Sequence, residues 1–190
     1  RRFDARAGVV EHDRDGLPLS HGPTSQNTGM ATTFRKVAVA GAGAVGSFYG
    51  AMLARAGHAV VLVGRPAHVD AIRRDGLRLE MAGRTETIAV DASSEVGAAR
   101  GADLVLVSVK STDTDAVARE LAPLLGRDAV VVSLQNGVEN AETIARRVDA
   151  TVVPAVVYVA TALPAPGVVR HYGRGDLVIG PRTPAAAQDP

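Results

Sequence analysis

A short apolar run, Lys36-Val37-Ala38-Val39-Ala40, feeds directly into Gly41-Ala42-Gly43-Ala44-Val45-Gly46, and an amphipathic stretch from Ala44 to Ala56 follows at once. This order constrains the chain more than any other feature. An apolar run, three glycines in the pattern G-x-G-x-x-G and then helical periodicity read as strand, tight turn and helix. Val45, Phe48, Tyr49, Met52, Leu53 and Ala56 fall on one helical face, Gly57-His58 ends the helix, and Ala59 to Val63 is a second apolar run. A βαβ unit results. In that setting Gly41 makes the tight turn, Gly43 lets a pyrophosphate approach the backbone, and Gly46 lets the helix pack closely on the strand. The unpaired N–H groups at the helix start then face the anion. A glycine-rich βα turn without ligand is the competing reading, because the chain has 20 glycines and the hexapeptide is informative only in context.

The alternation continues downstream. Pro66 to Arg74 reads as a short helix, and Leu77 to Met81 and Thr85 to Val90 alternate around Gly83 as a hairpin. Leu104 to Val109 is almost wholly apolar, as expected of a parallel strand covered on both faces. Thr112 or Asp113 is positioned to cap a helix running to about Leu125, and Ala129 to Leu134 is another buried strand. Val138, Ala141, Ile144, Ala145 and Val148 line a further helix face. Thr151 to Leu163, Val168 to Tyr172 and Asp176 to Ile179 are extended, separated by Pro-Ala-Pro-Gly and Gly-Arg-Gly turns. The expected fold class is therefore α/β, a Rossmann-like doubly wound parallel sheet with a terminal β-ribbon. Residues 1–33 have no sustained periodicity and read as a flexible leader or tag, 34–180 as the dinucleotide-binding domain, and 181–190 as a tail or the start of a linker.

Composition removes several function classes. A length of 190 residues favours one principal domain. Zero cysteines excludes disulfides, thiolate metal sites and cysteine nucleophiles and suits a reducing compartment, so the expected location is cytoplasmic. With 21 basic residues against 20 acidic ones, no long-range field favours nucleic acid or an anionic membrane. No uncharged apolar run approaches the roughly 20 residues needed to span a bilayer, and residues 1–29 lack the apolar core of a signal peptide. His12, His21, His58, His68 and His171 are scattered without ligand spacing, so no metal site is expected. His171 reads as an exposed or satisfied strand residue rather than a catalyst. The chain also lacks a G-x-S-x-G elbow, a Walker loop and an aromatic platform for nucleic acid.

A dinucleotide fold carries a ribose-reading residue roughly 20 positions after the glycine loop, at the carboxyl end of the second strand. Here that end reads Val63-Gly64-Arg65, with no acidic residue in the slot. The guanidinium fork of Arg65 suits a 2′-phosphate, which points to NADP rather than NAD; a solvated surface arginine is the alternative. Lys110 and Asn136 each stand just past the carboxyl end of an expected strand, the edge at which open α/β sheets bind ligands. Lys36 and Lys110 are the only lysines, against 19 arginines. For Lys110 the alternative is a stem packed at the sheet edge with its ammonium in water. For Asn136-Gly137 it is a turn selected for left-handed backbone angles.

Taken together, VAVAGAGAVGSFYGAMLARAGHAVVLVGR at 37–65, LVLVSVKS at 104–111, SLQNGVEN at 133–140 and PGVVRHYGRGDLVIG at 166–180 resemble the ketopantoate reductases, or 2-dehydropantoate 2-reductases, of pantothenate biosynthesis. The resemblance runs from about Lys36 to Gly180. It implies that Gly41, Ala42, Gly43, Ala44, Val45 and Gly46 hold the pyrophosphate of NADP, Arg65 its 2′-phosphate and Lys110 its ribose and phosphate region. Asn136 would stand at the junction of nicotinamide and substrate, and Ala160 would contact the cofactor. It implies NADPH-dependent hydride transfer to the ketone of 2-dehydropantoate or another 2-oxo acid. Members of the family carry a second, helical domain with a lysine acting as general acid, and no lysine follows Lys110 in this sequence. The expectation is a cofactor-binding half with little activity of its own; a non-catalytic NADP-binding or sensing module is the alternative. Without its helical partner, the ribbon from Thr151 to Ile179 is expected to expose apolar surface and to favour a homo-oligomer.

Overall fold

The computed structural model describes residues 2–3, 34–137 and 139–180. The expected leader, Arg2–Phe3 aside, the expected tail at 181–190 and the helix-face position Val138 lie outside the described residues. In chain order the elements are β1 (Arg2–Phe3), β2 (Val37–Ala40), α1 (Ala44–Arg55), β3 (Val60–Val63), α2 (Pro66–Asp75), β4 (Leu77–Met81), β5 (Arg84–Ile88), β6 (Asp91–Ser93), β7 (Leu104–Val107), α3 (Thr114–Leu121), β8 (Val130–Ser133), α4 (Glu139–Ala145), β9 (Thr151–Ala165) and β10 (Val168–Ile179).

One sheet holds these strands in the order β5-β4-β10-β9-β8-β7-β2-β3-β6, with β1 paired to β10. The segment β6-β3-β2-β7-β8-β9 is wholly parallel. Ranked by their occurrence in the chain, those six strands lie in the order 3-2-1-4-5-6, the doubly wound dinucleotide-binding arrangement, with the reversal between β2 and β7. The runs VAVA, VVLV, LVLV and VVVS form its centre because both sheet faces are covered, so every position must be apolar. Alternate side chains then enter two cores. Val37, Val39, Leu62 and Leu106 join Phe48 and Tyr49 of α1 on one face. Ala38, Ala40, Val105, Val107 and Val131 join Leu121 of α3 and Ile144 of α4 on the other.

Several sequence expectations are corrected in detail. The helix expected up to Leu125 is α3, which ends at Leu121; a 3-10 turn over Ala122–Leu124 follows, with Pro123 unable to donate an α-helical hydrogen bond. Neither Thr112 nor Asp113 caps it through a side chain: Asp113 is the N-cap residue but has helical angles, φ −101° and ψ −3°, and makes no cap hydrogen bond. The face expected on α1 is displaced, since Ala56 is exposed whereas Gly46, Ser47, Phe48, Tyr49, Gly50 and Ala51 are buried. Sheet contacts on one flank and the β9–β10 ribbon on the other account for this. The hairpin β4–β5 forms as expected, but β4 also pairs parallel to β10, with Val168 opposite Arg78, and so draws the ribbon back over α1. β6, a strand of three residues with no apolar run, was not expected.

The Gly-Arg-Gly turn expected at 173–175 is instead an irregularity within one continuous strand, β10, where the pairing register with β9 shifts. Arg174 has φ +61°, a left-handed conformation that costs a non-glycine residue roughly 1–2 kcal/mol. Its carbonyl accepts a 2.6 Å hydrogen bond from His171 Nε2, and Tyr49 Oη donates to the Gly175 carbonyl across 3.3 Å. Burial, followed by the charge of Asp176, raises the Tyr49 phenol above its ordinary range. His171 is buried and stacks on Phe48 with ring centroids 4.4 Å apart, so of the two expectations for it the satisfied one holds.

Candidate functional site

The parallel strands end in register. Val63, Ala40, Val107 and Ser133 lie side by side at the carboxyl edge of β3, β2, β7 and β8, level with Pro154 of β9, which runs on to Ala165. At about 4.8 Å per strand, the interval from β3 to β8 is roughly 14 Å. The glycine loop leaves this edge after β2, Arg65 after β3, Lys110 after β7 and Asn136 after β8. Four segments scattered between Gly41 and Asn136 therefore converge on one edge, at the point of strand reversal where open α/β sheets bind ligands.

Gly41 has φ +105°, and a Cβ there would lie 2.7 Å from the Val109 amide nitrogen. At Gly46 a Cβ would sit 2.2 Å from the Gly41 carbonyl and 2.4 Å from Ser108 Oγ, so the start of α1 is pressed against both neighbouring turns. Gly43 is the opposite case, with nothing within 4 Å of the position a Cβ would occupy. A close cradle with one open wall is what a backbone-bound pyrophosphate requires. The first turn of α1 has no side-chain cap and no acidic residue, leaving the positive end of the helix dipole unopposed. Ala42 is buried, and Ala44 and Val45 are half-buried at the helix start.

Arg65 is the N-cap residue of α2, and its exposed guanidinium has no hydrogen bond or ion pair among the described residues. Lys110 is likewise exposed and its ammonium lacks a partner among the described residues. The other lysine is different: Lys36 Nζ donates to the Arg100 carbonyl across 2.9 Å. Asn136 is exposed, and its carbonyl accepts from Asn140 Nδ2 across 2.7 Å. Ala160 stands apart from this edge, six positions past Pro154 on β9, opposite Gly173 and exposed on the ribbon.

The sequence reading missed a set of polar residues beneath the edge. Ser108 Oγ donates to the Gly41 carbonyl at 2.7 Å. Gln135 Nε2 donates to the Val109 carbonyl at 3.0 Å and to Thr114 Oγ1 at 2.7 Å, and Gln135 Oε1 accepts from Ser133 Oγ at 3.2 Å. Thr114 Oγ1 donates to Asn140 Oδ1 at 3.0 Å, and Asn140 Nδ2 also reaches Ser111 Oγ at 3.1 Å. Ser133, Gln135, Thr114 and Asn140 are all buried. A signal existed: Ser108 and Ser133 interrupt or close apolar strand runs, where a polar side chain needs a partner.

His68 is a second buried polar residue, away from the edge. Its Nδ1 accepts the Gly167 N–H at 2.9 Å, which leaves Nε2 protonated to donate to Ser47 Oγ at 3.1 Å. Burial lowers its pKa below the ordinary value. A cavity of about 380 Å³ lined by Arg55, Leu79, Met81, Ala82, Arg84 and Glu86 lies between α1 and the β4–β5 hairpin and includes none of the expected site residues.

The profile of the family described as Ketopantoate reductase PanE/ApbA matches residues 37–184. The chain belongs to this family. Its similarity to the ketopantoate reductases extends to a 2-dehydropantoate 2-reductase from Halobacterium salinarum, 40% identical over 151 residues, which cover 76% of this chain and 48% of the relative. A PanE/ApbA family ketopantoate reductase from Ralstonia eutropha JMP134, known from its crystal structure, is 58% identical with a TM-score of 0.74, over 76% of this chain and 48% of that one. D-mandelate dehydrogenase, in a ternary structure with NADH and anilino(oxo)acetate, superposes with a TM-score of 0.65 at 27% identity, over 74% of this chain and 46% of that one. The chain thus spans about half the length of the ketopantoate reductases it matches. No helix among its described residues is long and apolar enough to cross a membrane.

Proposed function

We propose that this chain is the cofactor-binding half of an NADPH-dependent reductase acting on a 2-oxo acid, 2-dehydropantoate being the substrate its family suggests. The observation that carries the reading is the single carboxyl edge shared by the glycine loop, Arg65, Lys110 and Asn136. The open wall at Gly43 and the uncapped start of α1 suit a pyrophosphate, so the residues fit the group. Arg65 would take the 2′-phosphate through its planar fork, and Lys110 the ribose and phosphate region. Asn136 would orient the nicotinamide and the substrate relative to one another.

When bound, the reduced nicotinamide supplies a hydride to the ketone carbon. The chain's own residues then have two tasks, to fix the cofactor against the crevice and to neutralise its phosphates. Protonation of the developing alkoxide calls for a general acid, and the lysine that the family resemblance implies has no counterpart after Lys110. Calorimetric titration of the 190-residue chain is expected to give saturable NADPH binding, tighter than NADH, with little turnover of added 2-dehydropantoate. Absence of binding by either nucleotide overturns the reading, and rapid NADPH oxidation overturns the assignment of the acid to another part of the protein.

The likeness to D-mandelate dehydrogenase favours one alternative, an enzyme for a different 2-oxo acid. A panel of 2-oxo acids offered to the protein together with its catalytic half separates the two by kcat/KM.

A further inference from the structure

The buried polar chain beneath the edge has only one internally consistent direction. Val109 and Asn136 present backbone carbonyls, which can only accept, so Gln135 Nε2 and Asn140 Nδ2 must be the amide nitrogens facing them. Asn140 therefore turns Oδ1 toward Thr114, whose hydroxyl donates its single proton there and accepts from Gln135 Nε2. Gln135 Oε1 is left to accept from Ser133. No buried side-chain polar atom among the described residues is left without a partner. The network touches the residue before Lys110 (Val109), the residue after it (Ser111) and the carbonyl of Asn136. It touches neither exposed side chain.

We infer that Thr114, with Asn140 and Gln135, is a positioning residue that holds the Lys110 turn and the Asn136 turn as one rigid unit, so that a cofactor gripped by Lys110 is set in register with the group at Asn136. This rests on the cofactor reading given above. Thr114 lies at the hub: it is 2% exposed and, among the described residues, is the only side chain bonded to both amides. Replacing its hydroxyl by a methyl of similar size leaves Gln135 Nε2 and Asn140 Oδ1 each short of a partner and uncouples the two turns.

The test is a double-mutant cycle read by NADPH fluorescence titration of the 190-residue chain, with far-UV circular dichroism to check the fold. Lys110→Ala is expected to weaken NADPH binding. Thr114→Val should weaken it about tenfold in the parent chain but less than about twofold in the Lys110→Ala background, because the two act through one contact. Thr114→Ser, which keeps the hydroxyl, should bind as the parent does. If Thr114→Val fails to fold, Gln135→Met takes its place under the same criteria. Parent-like binding by Thr114→Val, or a penalty undiminished by Lys110→Ala, overturns the inference while the cofactor reading stands. No NADPH binding by the parent overturns both.

Discussion

Ser108 Oγ donates a 2.7 Å hydrogen bond to the Gly41 carbonyl, tying the turn after β2 to the turn after β7 across the point where strand order reverses. The same hydroxyl would lie 2.4 Å from a Cβ at position 46. Ser108, Gly41 and Gly46 therefore form one tightly packed corner, from which the glycine loop faces outward.

Gly46→Ala is expected to break that corner. The added methyl meets the Gly41 carbonyl at 2.2 Å, a backbone atom with little freedom to retreat. Overpacking of this kind costs about 1–3 kcal/mol. The measurement is the urea midpoint alongside NADPH affinity. Both should fall, and an unchanged midpoint would show that α1 shifts freely on β2.

Arg65→Ala tests the 2′-phosphate assignment. The guanidinium has no intramolecular partner among the described residues, so its loss should leave the fold untouched. Charge-assisted hydrogen bonds of about 1.5–3 kcal/mol would disappear for NADPH and not for NADH, lowering the preference ratio by roughly one to two orders of magnitude. Because the chain contains no tryptophan, cofactor fluorescence or calorimetry is the suitable readout. Equal weakening of both nucleotides would refute the assignment.

His68 should make stability depend on pH. Its Nδ1 accepts from Gly167, so the folded state holds it neutral, and burial lowers its pKa from the ordinary 6.5. Below pH 6.5 the unfolded chain binds a proton that the folded chain does not, so stability declines as pH falls from about 6.5 toward the lowered folded value. Denaturant midpoints between pH 8 and 5 should follow that slope. A His68→Gln chain should lose this component, and an identical slope in both would assign the effect elsewhere.

The ribbon should drive self-association. Val156, Tyr158, Leu163, Tyr172, Val178 and Ile179 are large apolar residues exposed on β9 and β10, Tyr172 at 65% and Val156 at 53%. Apolar patches beyond a few hundred Å² tend to associate. Sedimentation velocity at rising concentration is expected to show a species larger than the monomer, reduced by Val156→Lys with Tyr172→Lys. A strictly monomeric profile at high concentration counts against it.

What the sequence determined by itself was the parallel core and the ends of its strands. Runs such as Leu104–Val107 must be buried on both faces, and this requirement is local enough to read from composition. The places where such runs stop mark Gly41, Arg65, Lys110 and Asn136 without any coordinates. Tertiary structure decided the rest. β4 pairs with a strand some ninety residues downstream, so the ribbon folds over α1, and no window of sequence contains both partners. The same return made His171 a buried stacking partner of Phe48 and allowed Arg174 its left-handed backbone inside a strand. It also seated His68 on Gly167. The network of Thr114, Gln135 and Asn140 was hidden for a similar reason. Each of these residues is ordinary for a helix start or a turn, and only the packing of α3 and α4 beside one another brings their amides and hydroxyl within 3 Å, where desolvation obliges them to pair.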